Sequence, residues 1–113
     1  MLTSGDIVDL DLGLPTEGET GFRHPAVVIT AQPILDAKPN VIHIVPLTTA
    51  VRAFGSEIEI EPDEHNGLDD LSTAQCQHLR SVSVSRAMQR RGSVGPAALR
   101  QIREMTRLLL DIE

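Results

Sequence analysis

The side chains in this sequence that can move protons or grip an anion are few and scattered. Its four histidines stand at 24, 43, 65 and 78. An unperturbed imidazole titrates near ~6.5, so a histidine can act as general acid or base at neutral pH. His24 has a cation beside it, Arg23, whose planar guanidinium fork suits a phosphate. If the chain is extended at this point, adjacent side chains point to opposite faces. Only one of the two then meets a given substrate group, unless the backbone bends. The plain alternative is that His24 ends a loop and does no chemistry. His43 lies in the nearly apolar run NVIHIVPL (40–47) and reads as a satisfied core histidine.

No metal or cofactor is expected. The histidines lack close ligand spacing, and Cys76 is the only cysteine. One cysteine makes no intrachain disulfide, which fits a reducing compartment. The glycines of GLPTEGETG (13–21) precede no helical pattern and lack the Gly-Lys-Ser/Thr ending, so they are not a phosphate-binding P-loop.

Such residues need a scaffold, and 113 residues suffice for one domain, 1–113, but not two. Phe22 and Phe54 are the only aromatics, so the core must be aliphatic. The same scarcity argues against nucleic-acid binding on an aromatic stacking platform. No apolar run approaches the ~20 residues that span a bilayer. The start, MLTSGDIVDLDL, carries neither a basic cluster nor an apolar signal core, so a cytoplasmic protein with no membrane contact is expected. The net charge of -6 disfavours phosphate binding overall. Its distribution is uneven: residues 1–79 hold three basic and thirteen acidic side chains, whereas residues 80–113 hold seven arginines and three acids. A local basic surface is therefore feasible, particularly where a dimer pools two such segments.

The elements follow from periodicity. GDIVDLDL (5–12) ends in strict alternation and predicts a half-exposed strand. A glycine-rich loop follows over 13–24, then the buried strand AVVIT (26–30) and a short helical turn between Pro33 and Pro39. Residues 40–47 form a central strand. SEIEIE (56–61) alternates, placing Ile58 and Ile60 inward and Glu57, Glu59 and Glu61 toward solvent. Asn66-Gly67 marks a turn, and STAQCQHLRSVSV (72–84) is β-like. The basic residues 85–91 suggest a single helical turn, with Arg86, Arg90 and Arg91 as a candidate basic patch. From Pro96 onward, Leu99, Ile102, Met105, Leu109 and Ile112 recur at helical steps. The expected fold is mainly β with a C-terminal helix, a small barrel or strongly bent sheet.

Three stretches together resemble toxins of the MazF/PemK family. GDIVDLDLGLPTEGETGFRHPAVVIT (5–30) is similar to the family's first strand, long glycine-rich loop and Arg-Pro-Ala-Val-Val strand. VPLTTAVRAFGSEIEIE (45–61) is similar to its Val-Pro-x-Thr-Thr strand end and the Glu-containing strand after it. STAQCQHLRSVSVSRAMQRRGSVGPAALRQIREMTRLLLDI (72–112) is similar to its Gln-x-Arg-Ser-Val strand, Gly-x-Val step and closing helix. The resemblance implies an SH3-like small β-barrel of the MazF/PemK/CcdB type and a homodimer. It also implies metal-independent cleavage of single-stranded RNA by the ribose 2′-hydroxyl, leaving a 2′,3′-cyclic phosphate and a 5′-hydroxyl. A cognate antitoxin, its extended tail lying in the RNA groove, is the implied protein partner.

On that reading, His24, Thr48 and Arg23 are the catalytic candidates. Internal attack needs a base for the 2′-hydroxyl, an acid for the leaving 5′-oxygen, and donors for the charge growing on phosphorus oxygens. Thr48 occupies the family's phosphate-contacting threonine, although a β-branched residue on a strand is common in any case. Glu19, Thr49, Arg52, Gln77, His78 and Arg80 are the candidate RNA contacts. Two departures stand out. The family's catalytic Arg directly precedes the Pro, where this chain has His24. Gln75 and Gln77 replace an Arg and an Asp used by one member. These departures keep open an alternative: a non-enzymatic, toxin-like binding protein on the same fold, degenerate or topoisomerase-poisoning, that still binds an antitoxin.

Overall fold

A computed structural model describes residues 1–11, 23–50 and 54–113, with Arg23 as backbone only. The elements run β1 (Asp6–Asp11), β2 (Arg23–Val28), α1 (Gln32–Asp36), β3 (Val41–Thr48), β4 (Glu57–Ile60) and β5 (Ser72–Gln75), then β6 (Arg80–Ser83), β7 (Ala87–Ser93) and α2 (Gly95–Leu110). Short 3-10 turns at Cys76–His78 and Val84–Arg86 flank β6.

All strand pairs are antiparallel, in the order β4-β5-β3-β2-β1-β7, with β6 also on β3. The long strand β3 is the hub. One edge pairs with β2, and the other takes β6 over Val41–Ile44 and β5 over Leu47–Thr48. The 3-10 turn at Cys76–His78 carries the chain from one partner segment to the next. The expected barrel is corrected in one respect: the sheet is not closed, since β4 and β7 do not pair. Next to β7 lies the loop after β4 instead, where the Ser93 N–H donates to the His65 carbonyl at 2.8 Å.

Side-chain alternation builds two cores. Ile7, Val27, Val45, Leu47, Ile60 and Ala74 pack with Ile102 on the face that α2 covers. Val8, Leu10, Ala26, Val28, Ile42, Ile44 and Val82 pack with Leu35 on the other face. Period-2 patterning in the strands separates these two sets residue by residue. Both faces being covered, β1 is buried from Asp6 to Leu10 rather than half exposed. Its two buried acids are compensated, as burial of a charge demands. Arg90 Nε meets Asp6 Oδ1 at 2.9 Å, and Arg91 Nε meets Asp9 Oδ1 at 2.7 Å.

Those pairs also correct the reading of 85–91. Only Val84–Arg86 makes a helical turn; Ala87–Ser93 is a strand on β1. Ile7 pairs with Gly92 and Val8 with Arg90, so Arg91 is the extra residue of a bulge. The bulge lets successive arginines reach acids on both faces of β1. His43 is a further correction, being exposed. It shares a face with Val45 and Leu47, but the exposure of Val41 and His43 shows that the cover over this face ends before this end of β3. The apolar stripe of α2 likewise buries Ile102 and half-buries Leu99 and Met105, whereas Leu109 and Ile112 are exposed. Among the described residues, no helix is long and apolar enough to cross a membrane.

Candidate nucleic-acid interface

Strand pairing brings distant candidates onto one sheet face. His24 pairs with Leu10, Ala26 with Pro46, and Ile44 with Arg80. Directly paired residues share a face, and residues two apart along a strand share it as well. His24, Ile44, Pro46 and Arg80 therefore lie on the face opposite α2. Together with Leu10, Gln75 and His78 they line a cleft of about 270 Å³. Two imidazoles and a guanidinium thus gather from β2, β6 and the 3-10 turn before β6. The turn matters because in a straight strand Gln75 and His78, three positions apart, would point to opposite faces, whereas here both line the cleft.

Thr48 follows Pro46 on the same face, about 7 Å further along β3 at the usual strand rise. Its Oγ1 accepts the Ala50 N–H at 3.1 Å. Accepting there orients the hydroxyl and leaves its own hydrogen to donate. Thr49 is exposed beyond the strand. For Arg23 the backbone is extended and paired with Asp11, so the chain does not bend between 23 and 24. Glu19 and Arg52 lie outside the described residues.

Gln77 is not among the cleft's lining residues. Its Nε2 donates to Glu57 Oε2 at 2.7 Å, and its Oε1 accepts from the Ser56 hydroxyl at 2.9 Å. Glu57 was expected in solvent, but it is half-buried. Besides Gln77, it accepts from the Thr73 hydroxyl at 3.2 Å and from Gln75 Nε2 at 3.4 Å. The register explains this: Glu57 pairs with Gln75 and Glu59 with Thr73, so alternation turns these acids toward β5 side chains on the cleft face. The signal in the sequence was the polar alternation T-x-Q-x-Q at 73–77 opposite E-x-E at 57–59.

The remaining arginines are mostly committed elsewhere. Arg86 donates to the Asp11 carbonyl at 3.1 Å, and Arg103 bonds Ser4 Oγ and the Ile29 carbonyl. With Arg90 and Arg91 paired to β1, the proposed basic patch at 86–91 is largely a structural clamp. Arg80 has no ion-pair partner among the described residues and stays in the cleft. A larger hollow of about 790 Å³ shares this face, lined among others by Met1, Leu2, Leu35, Ile42 and Met88. Its walls are mainly aliphatic and bring no imidazole, unlike those of the smaller cleft. Among the described residues, no three His, Cys, Asp or Glu side chains converge as metal ligands.

A sequence profile described as a PemK-like, MazF-like toxin of type II toxin-antitoxin system matches residues 3–110. Solved structures agree on the fold. The Mycobacterium tuberculosis toxin MazF-mt6 superposes with a TM-score of 0.75 at 17% identity, over 96% of this chain and 98% of that one. The Deinococcus radiodurans MazE-MazF structure (Form-II) gives 0.74 at 21% identity, over 97% and 95%. An endoribonuclease in complex with its cognate antitoxin from a mycobacterial species gives 0.77 at 16% identity, over 100% and 98%.

Proposed function

The chain belongs to the PemK-like, MazF-like toxins of type II toxin-antitoxin systems, and from that premise we propose that it is a metal-independent endoribonuclease of single-stranded RNA. The observation that carries the reading is the convergence of His24, His78 and Arg80 in one cleft beside Thr48. Two imidazoles supply what internal transesterification needs. One takes the proton of the ribose 2′-hydroxyl as its oxygen bonds to phosphorus. The other returns a proton to the 5′-oxygen as the P–O5′ bond breaks, leaving a 2′,3′-cyclic phosphate and a 5′-hydroxyl. Arg80 and the Thr48 hydroxyl donate to the non-bridging oxygens, where negative charge grows. In this account His24 takes over the position of the family's Arg, and the cationic work passes to Arg80, because an unbent strand at 23–24 lets only one of that pair meet the phosphate.

The same reading makes the protein a cytoplasmic homodimer silenced by a cognate antitoxin whose extended segment lies over the cleft. It also keeps Glu19, Thr49 and Arg52 as RNA contacts. The test is digestion of a mixed RNA pool by the purified protein, beside His24→Ala, His78→Ala and Thr48→Ala. Cleavage by the wild type and a loss of about 10²-fold or more in each His variant is the expected result. Glu57 and Glu59 on the same face favour the second reading, a toxin-like protein that binds without cutting. A folded protein leaving every RNA intact would select it.

A further inference from the structure

The cleft has two electrostatically different ends. One carries His24, His78 and Arg80; the other carries Gln75 with Glu57 behind it. A carboxylate only accepts hydrogen bonds, so both neighbouring glutamines must turn their amide N–H groups toward Glu57. Gln77 is then held at its other end by the Ser56 hydroxyl. Among the described residues, Gln75 is held at Nε2 alone, at 3.4 Å, while its side chain lines the cleft. Its Oε1 is the end left for whatever enters.

We propose that Gln75 reads a nucleobase next to the scissile phosphate, and that Glu57 sets the polarity of that reading by holding Nε2 so that Oε1 faces the substrate as an acceptor. The inference rests on the RNA-cleaving reading above. An amide oxygen only accepts and has no hydrogen to give a phosphate, so this end of the cleft takes a group that donates. In single-stranded RNA the base edges are free for hydrogen bonding, and their amino and imino groups are donors. Glu57 is a positioning residue here: it acts through Gln75 rather than on the RNA.

The experiment compares cleavage-site distributions from one mixed RNA pool for wild type, E57Q, Q75L and T73V, together with each protein's Tm. A glutamine at 57 offers both donor and acceptor, so the Gln75 amide can turn over. E57Q and Q75L are expected to keep cutting while the preference at one nucleotide position falls about fivefold or more, the scale of one lost base contact. Thr73 is 1% exposed and donates to the same carboxylate from outside the cleft. T73V is expected to lower Tm without moving the preference, which separates reading from packing. Should E57Q not fold, Q75L tests the same contact. Wild-type preference in both cleft variants, or an equal loss at every site, would overturn the inference. A wild type that cuts no RNA sinks the endoribonuclease reading, and this inference with it.

Discussion

The thiol of Cys76 shows how position decides the behaviour of a single residue. It is 1% exposed, with Sγ 3.8 Å from the Ala74 carbonyl and 3.9 Å from that of Ile102. Burial pushes it up from 9.0 to about 11; a backbone hydrogen bond opposes this, and the Glu57 charge adds to it. The unfolded chain therefore releases the proton first. This contribution to stability is intact below pH 9 and is lost as pH rises toward 11. Urea titrations at pH 8 and 10.5 are expected to show a larger alkaline loss in wild type than in Cys76→Ala. The ion pairs of β1 make a second contrast. Arg90→Ala leaves Asp6, 2% exposed, without its cation and is expected to cost about 1–3 kcal/mol by chemical denaturation. Arg107→Ala breaks only the exposed pair to Glu104 and is expected to stay within about 0.5 kcal/mol. His24 stood out by its place before Pro25, where the resembled family keeps an Arg, and not by residue type. Gln75 stood out with Gln77 only as a departure from one member's Arg and Asp; its place between Glu57 and the cleft needed the register of β4 on β5.

At the scale of elements, alternation and helical spacing placed β1, β3, β4 and α2 close to their observed bounds, whereas β2 begins at Arg23, inside the loop expected over 13–24, and ends at Val28 rather than Thr30. They failed where a tertiary partner overrode local pattern. Residues 87–93 read as basic and turn-like, yet they form β7, because Asp6 and Asp9 on β1 draw in Arg90 and Arg91. No local signal in 85–91 encodes acids more than seventy positions away. His43 misled for the converse reason: its neighbours are apolar, but the sheet is uncovered beside it. Gly92 reports a close approach of the same kind. A Cβ there would lie 2.2 Å from the His65 carbonyl oxygen and 2.7 Å from the Asn66 carbonyl carbon. Gly92→Ala must therefore push β7 away from the 61–68 loop and is expected to cost about 2 kcal/mol or more. Gly55→Ala meets nothing within 4 Å and is expected to change stability by less than about 0.5 kcal/mol in the same titration.

Across the whole molecule, the charge asymmetry read from the sequence changes its meaning. Seven arginines after residue 79 suggested a basic surface for RNA. Folding commits Arg86, Arg90, Arg91, Arg103 and Arg107 to partners within the chain. Arg80 is what the cleft retains, beside His24 and His78. An acidic protein can then act on RNA through a small cationic cleft rather than a broad basic face. On the proposed function, such a cleft would rely on transition-state contacts more than on bulk attraction. The most direct test of that claim is end-group analysis of RNA cut by the purified protein in the presence of a metal chelator. The expected products carry 5′-hydroxyl and 2′,3′-cyclic phosphate ends and are lost in His24→Ala and His78→Ala. Products with 5′-phosphates, cleavage that needs added metal, or full activity in both histidine variants would contradict it.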